Sequence, residues 1–283
     1  MQELQQRLGI SEHGCKPYSE MTDEEKRAYS QRRCDWENNR AGQLHEKDGY
    51  DCPLCLNRGY IYVVQEVRRG TVNHYSEAIK DCKCKSVRRS LKRLKESGLA
   101  KVVEKYTFDA YTTGEAWQAH IKETAINFTK ENCGVFYIGG QSGCGKTHIC
   151  TAIAKEFMTQ GKAAYYMLWQ DEVIKLKAAV MDEIEYQGMM KRLKNVDVLY
   201  IDDFFKPVGD NPKPSAADIR IAYELINYRY NEGKGVTVIS SERYIQEILD
   251  IDEATGGRII EYAGPYMLNI QRDRKRNYRL KNI

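Results

Sequence analysis

The sequence predicts an α/β fold built on a five-stranded parallel sheet and preceded by a small cysteine-bearing module. Three observations lead there. From Phe108 onward, short apolar runs alternate with helical patterns, as expected of parallel strands covered on both faces. The first of those runs feeds a glycine-rich loop that contains a lysine, and four cysteines stand in two close pairs ahead of the whole region.

With 283 residues, 42% hydrophobic and 30% charged, the chain has room for one large domain and a smaller one. No window approaches the roughly 18 uninterrupted apolar residues of a membrane span. The opening MQELQQRLGISEHG has no basic stretch followed by an apolar one, so the expectation is a cytoplasmic protein with no membrane partner. The net charge of +4 is unevenly spread: ten Lys or Arg against three acids lie between Lys80 and Lys105, and QRDRKRNYRLK lies near the end. Such clusters suit phosphate backbones, and equally a solvated helix face.

Taken in order, residues 1–45 are polar and charged, with Thr22-x-x-Glu25 resembling a capping box before a helix through DEEKRAYSQRRCDWENNR. Its apolar face is too small to make a core, so it should pack on something else, in the protein or on a partner. Residues 46–86 carry Cys52 and Cys55 as C-x-x-C in DCPLCLNRGY, then Cys82 and Cys84 as C-x-C in DCKCK. With no export signal in view, nine cysteines favour metal or reduced thiols over a disulfide framework, and two close pairs match a tetrahedral zinc site. The other five, Cys15, Cys34, Cys133, Cys144 and Cys150, are scattered. Between the pairs, β-branched and aromatic residues flank Arg69-Gly70, as in a hairpin that folds the second pair back onto the first. His74, in the same hairpin, is the alternative to one cysteine. Four protein ligands close a site to substrate, so this zinc should staple the module rather than catalyse. Residues 87–107 read as a basic linker helix interrupted at Ser97-Gly98.

Residues 108–283 hold five strand candidates: VFYIG (135–139), AAYYML (163–168), VDVLYID (196–202), VTVIS (236–240) and YMLNI (266–270). The clearest connecting helix runs from Ser215 to Asn231. Ser215-x-x-Asp218 caps it, Ile219, Tyr223, Ile226 and Tyr230 fall on one face, and Gly233 follows.

Gly140, Gln141, Ser142, Gly143, Cys144, Gly145, Lys146 and Thr147 match G-x-x-x-x-G-K-[ST] directly after a strand and before a helix. The glycines let backbone N–H groups curl around the phosphates of a nucleoside triphosphate. Lys146 reaches the β- and γ-phosphates, and Thr147 coordinates magnesium. VDVLYIDD then delivers Asp202, placed to hold magnesium, and Asp203, placed to orient or activate the attacking water. Cys144 and His148 sit within this binding segment as residues that fit their positions. Ser240 and Ser241 end the fourth strand, where a polar side chain would reach the attacking water or the γ-phosphate. Arg258, in ATGGRIIEYAG, has the setting of an arginine that reaches a neighbouring subunit's nucleotide.

From about Tyr106 to the C-terminus the chain resembles the AAA+ ATPase domain of DnaC/DnaI-type replicative helicase loaders, phage-encoded ones included, and the related ATPases of IS21-type transposons. KYTFDAY (105–111), GQSGCGKT (140–147), VLYIDDFF (198–205), VISSE (238–242) and GGRII (256–260) carry the likeness. The cysteine module adds to it, because the N-terminal domain of such loaders commonly carries zinc and grips the helicase. The resemblance implies an ATPase using ATP, magnesium and zinc, with Lys146, Thr147 and Asp202 on nucleotide and metal and Asp203 as the water-activating acid. It makes Ser241 the sensor of the fourth strand, Arg258 a finger acting in trans, and Arg274 or Arg276 a second arginine within the same subunit. An aspartate at position 203, where many AAA+ ATPases have glutamate, implies slow hydrolysis, suited to a switch. The implied partners are a hexameric replicative helicase, single-stranded DNA and further copies of the chain when ATP is bound. Lys175, Lys177, Lys191, Arg192 and Lys194 are candidates for DNA by charge. FFKPVGDNPKP (204–214) is a longer insert than the resemblance implies. The competing readings are an IS21-type transposition regulator, binding duplex DNA and a transposase, and a small-molecule kinase, which should display an acceptor-binding lid.

Overall fold

The computed structural model describes residues 17–69, 72–94, 105–207 and 213–280. The readings that concern Cys15, Gly70, Ser97-Gly98 and residues 208–212 of the insert lie outside the described residues. The chain divides into two compact units, with one ending at Arg88 and the other beginning at Arg89. Among the described residues no helix is long and apolar enough to cross a membrane.

The first unit begins with helix α1 (Asp23–Asn38). Its capping box forms as the spacing predicts: Thr22 Oγ1 accepts the Glu25 N–H at 3.2 Å, and the Glu25 carboxylate accepts the Thr22 N–H at 2.6 Å. Only Ser30 and Cys34 of this helix are buried, so packing rather than an apolar stripe must hold it. The support comes from the antiparallel hairpin β1 (Tyr60–Arg69) and β2 (Val72–Asp81). Asn38 donates to Tyr62 O at 2.8 Å and accepts the Tyr62 N–H at 2.9 Å, and Arg58 donates to Glu37 O at 2.5 Å. The register sets Tyr60 opposite Asp81, which brings the two cysteine loops together at the open end of the hairpin. A short helix α2 (Leu44–Asp48) precedes the first pair, and α3 (Cys84–Leu94) begins at the fourth cysteine.

The second unit runs α4 (Ala116–Phe128), β3 (Cys133–Gly140), α5 (Lys146–Thr159), β4 (Ala164–Leu168), α6 (Trp169–Ala178), α7 (Glu183–Asn195) and β5 (Val198–Asp202). It continues α8 (Ala216–Glu232), β6 (Gly235–Ser241), α9 (Ile245–Ile251), α10 (Glu253–Ala263) and β7 (Met267–Ile270). All five strands pair in parallel in the order β4-β5-β6-β3-β7. All five residues of β5 are buried, which is why it reads as a continuous apolar run rather than an alternating one. Because β3 lies between β6 and β7, its C-terminal end opens in the middle of the sheet, the usual place for a ligand in such folds. The neighbouring β5 and β6 end beside it.

One helix face departs from the expectation. The cap of α8 forms at Ser215 and Asp218, and Gly233 closes the helix in the left-handed conformation. The buried face is Ile221, Ala222, Leu225, Ile226 and Arg229, whereas Tyr223 is exposed and Tyr230 half-buried. The reason is Arg229. Its guanidinium donates to Thr237 Oγ1 at 2.8 Å and to the carbonyls of Val236 at 2.7 Å, Val196 at 3.0 Å and Lys194 at 3.0 Å. A buried arginine is acceptable when its donors are satisfied in this way, but nothing local to α8 announces those carbonyls.

Candidate nucleotide site and metal centre

In the first unit, the Sγ atoms of Cys52, Cys55, Cys82 and Cys84 all lie within 4.8 Å of one another, and all four residues are buried. Cys52 and Cys82 are 3.8 Å apart, Cys55 and Cys84 3.5 Å. A tetrahedron with metal–sulfur arms of about 2.3 Å has edges of about 3.8 Å, so the donor set is compatible with zinc. His74 is exposed on β2 and is not part of the group. Around the sulfurs, Gly59 donates its N–H to Cys55 Sγ at 3.3 Å, and Asn57 Oδ1 accepts the Cys52 N–H at 2.8 Å and the Arg88 guanidinium at 2.9 Å. Arg88 is also ion-paired with Asp48. Such partners orient ligands and offset the negative charge of four thiolates. Burial pushes the Cys82 and Cys84 thiols up. Burial also pushes Cys55 up, but the Gly59 amide and the neighbouring thiols outweigh it and bring Cys55 down to about 7.

In the second unit, the loop after β3 turns through Gly143 at φ +77° and Gly145 at φ +91°, the latter standing at the N-cap of α5. A side chain at Gly143 would also strike the amide of Asn277. Lys146 is buried, and its ammonium donates to Gly140 O at 2.7 Å and Gln141 O at 2.8 Å, so the side chain folds back over the loop it belongs to. A cleft of about 370 Å³ opens there, lined by Ser142, Gly143, Gly145, Lys146, Thr147 and His148 on one side and Asp203, Lys206 and Glu242 on the other. Free N–H groups and the positive end of α5 make its floor attractive to phosphate.

Cys144 donates to Gln141 O at 2.9 Å, and burial pushes its thiol up against the opposing pull of Lys146, which describes an inert packing residue. His148 is placed 2.9 Å from Thr107 O, stacks on Tyr106 with centroids 4.4 Å apart, and meets Tyr111 edge-on at 5.2 Å. Burial pushes its imidazole below the usual value. It ties the KYTFDAY segment to the phosphate loop, and Tyr106 and Tyr111 become part of the cleft wall.

Asp202 is buried at the end of β5, where it accepts the Ser240 hydroxyl and the Tyr166 hydroxyl, the latter at 3.0 Å. Burial pushes its carboxyl up, with the Ser240 hydrogen bond pulling the other way. The adjacent serine is oriented differently: Ser241 Oγ donates to Phe204 O at 2.7 Å and accepts the Arg243 N–H at 3.0 Å. Ser241 thus meets the backbone of Phe204 and Arg243 and does not line the cleft. Ser240 reaches the site through Asp202, and Glu242 lines the cleft itself. Side chains alternate along a strand, so two consecutive serines face opposite ways, and the spacing alone does not say which faces the ligand.

The arginines also sort themselves. Arg258, on α10, donates to Asn227 Oδ1 at 2.7 Å and to Ala254 O at 2.8 Å, and it lies 5.0 Å from the Tyr223 ring centre and 5.9 Å from that of Tyr230. It does not line its own chain's cleft. Nor do Arg274 or Arg276, the latter lying over Trp117. Arg279 does line it, donating to Ser142 Oγ at 3.3 Å, while the Tyr278 N–H meets Gly143 O at 2.9 Å. Asp273 N–H donates to Gln141 Oε1 at 2.8 Å, so the segment after β7 folds back along the loop. Of these tail arginines it is Arg279, not Arg274 or Arg276, that lies at the loop; the basic tail has no periodicity that would fix its register. Of the charge candidates for DNA, Lys175, Lys177 and Lys194 are each held by a carboxylate: Glu172 at 3.2 Å, Asp218 at 2.5 Å and Glu224 at 2.7 Å.

Comparison with known proteins adds the family context. The IstB-like ATP binding protein family matches residues 73–251. The uncharacterized protein YqaM of Bacillus subtilis (strain 168) is 30% identical, over 83% of this chain and 87% of its own length. The phage-like element PBSX protein XkdC of the same organism is 32% identical, over 78% of this chain and 83% of its own length. Among solved structures, the crystal structure of the DnaC helicase loader has the same fold, with a TM-score of 0.50 at 22% identity, over 60% of this chain and 99% of that one. The chain spans about half the length of the solved DnaA chains that it also matches.

Proposed function

The chain belongs to the IstB-like ATP binding protein family, with an AAA+ ATPase domain of the DnaC/IstB kind, and from that premise we propose that it loads a hexameric replicative DNA helicase under the control of ATP. The observation that carries the proposal is the pairing, in one chain, of a phosphate loop facing Asp203, with Asp202 buried at the adjacent strand end, and a four-cysteine module whose ligands leave no open position. A nucleotide switch joined to a stapled docking module suits a protein that grips a partner and lets it go.

In this reading residues 1–45 and 46–86 bind the helicase, 87–107 link, and 108–283 form the ATPase domain that associates with further copies and engages single-stranded DNA. The loop amides and Lys146 hold the triphosphate. Thr147 and Asp202 would hold magnesium, which supplies charge neutralisation at the phosphate oxygens. Asp203 orients the attacking water, Arg279 reads the phosphates from the same subunit, and Arg258 reaches a neighbour's nucleotide. Tyr223, Tyr230 and Asn227 hold Arg258 in place, which favours a pre-positioned finger over a free surface arginine. Turnover then weakens the assembly and frees the loader. The phage-like relative and the likeness in fold to the DnaC helicase loader support this assignment. The family description itself favours the second reading, a transposition regulator.

Size-exclusion chromatography of the full chain with ATP and the replicative helicase of its host distinguishes the two. Co-elution with ATP that is lost with Lys146→Ala is expected. If the helicase elutes unbound while an IS21-type transposase and duplex DNA are retained, the loader assignment is wrong.

A further inference from the structure

Asp203 opens a turn whose geometry places a second charge beside it. Its φ is +55° and that of Phe205 is +50°, a left-handed conformation uncommon outside glycine. The Lys206 N–H closes the turn on Asp203 O at 3.1 Å, and the Phe204 N–H ties it to Ser240 O at 2.9 Å. Phe204 and Phe205 are both buried, stacked with centroids 4.2 Å apart and edge-on to Trp169 at 4.8 and 5.3 Å. With both rings committed to the core, the flanking Asp203 and Lys206 project together into the nucleotide cleft. There the Lys206 ammonium lies 2.8 Å from Asp203 Oδ2 and 3.6 Å from Glu242 Oε1. The three side chains are 27%, 36% and 25% exposed for Asp203, Lys206 and Glu242, so the cluster is neither dry nor fully solvated.

We infer that Lys206 is a positioning residue that restrains Asp203 and sets a low basal rate of ATP hydrolysis. The inference rests on the reading of Asp203 as the group that orients the attacking water. For Asp203 to orient the attacking water, that water must donate to one of its carboxylate oxygens, and an ammonium on Oδ2 competes for that position. Both donors bond an ionised carboxylate, but the ammonium adds the attraction of a full opposite charge that a neutral water lacks, so it holds the position while it stays in place. Glu242, at 3.6 Å, is too far to draw it away from an oxygen at 2.8 Å. Lys206 is not one of the partners of the Lys146 ammonium, which is held by Gly140 O and Gln141 O, so the loop's own grip on phosphate does not depend on the restraint. Hydrolysis therefore waits until another anion takes the ammonium.

Steady-state turnover and calorimetric ATP affinity of the full chain test this. Lys206→Met should raise basal kcat about fivefold, the size expected of a partly exposed ion pair, with KM and affinity within about twofold of the parent. Lys206→Arg keeps a cation on Asp203 and should stay within about twofold of the parent rate. A Lys206→Met protein that binds ATP normally but turns over at the parent rate or more slowly overturns the restraint, and slower turnover would make Lys206 a stabiliser of phosphate charge. Asp203→Asn separates the two levels. Turnover that survives this change removes Asp203 from its role and the inference with it, whereas loss of turnover without acceleration in Lys206→Met leaves the role standing and sinks the inference alone.

Discussion

The cysteine module and the phosphate loop are both built from loops at strand ends, yet they relate to their ligands in opposite ways. In the module the four cysteines, with Tyr50 and Ile61 packed on them, are the interior, and a two-stranded hairpin of this size is marginal by itself. In the second unit a five-stranded sheet buries Tyr137, Leu199, Ile201, Ile239, Phe204 and many more, and the phosphate loop is laid over a core already complete. A core this small suits a structural ligand, such as the zinc proposed for the four cysteines. Where the core is large, the ligand site is free to change occupancy, as a switch requires.

The sharpest way to break this contrast is to remove the proposed zinc. Chelation, or Cys52→Ser with Cys82→Ser, should abolish the melting transition of the first unit, since structural zinc supplies about 10–16 kcal/mol of apparent folding free energy in small domains. The transition of the second unit should not move; calorimetry with zinc quantification checks both. Two unchanged transitions after complete chelation would erase the distinction.

Next in size is Arg258→Ala. If the arginine acts on a neighbouring copy, partner-stimulated turnover should fall by about 10³ or more while the ATP affinity of the isolated chain stays the same. Stimulated turnover at the parent rate would return Arg258 to a packing role between Asn227 and Tyr223.

Lys146→Ala should weaken ATP binding about 100-fold by titration calorimetry, the loss of a charged hydrogen bond to phosphate. It should also cost the second unit about 1–3 kcal/mol, because Gly140 O and Gln141 O lose a buried donor. A fold that melts at a much lower temperature would show that this loop, too, is structural. The smallest effect sharpens the choice between the serines. Ser240→Ala should weaken magnesium-dependent ATP binding about fivefold by freeing Asp202, whereas Ser241→Ala should cost about 1 kcal/mol of stability with nucleotide affinity unchanged.

Much of both sites is legible in the linear chain, for a shared reason. The phosphate loop consists of eight consecutive residues whose function lies largely in backbone amides, and backbone amides need no distant partner to be identified. The cysteine pairs are readable because two short spacings flank one hairpin, and in-register pairing of Tyr60 with Asp81 is enough to join them. The five strands are readable because a buried parallel strand is apolar along its whole length. What the linear chain leaves open shares a reason as well. The sheet-facing side of α8, the serine that meets Asp202, the arginine that meets Ser142 and the lysine that meets Asp203 are all choices between neighbouring residues of similar chemistry.

Composition and spacing therefore settled which elements exist and which ligand chemistry each is suited to, because those depend on covalent neighbours and on hydrophobic period. Tertiary packing alone decided which side chain of each adjacent set faces the ligand. Strand register turns Ser240 one way and Ser241 the other, two buried phenylalanines push Lys206 out beside Asp203, and a tail about 135 residues downstream folds back to bring Arg279 to the loop. Orientation of this kind is the sum of contacts between segments far apart in the chain, and no local pattern records it.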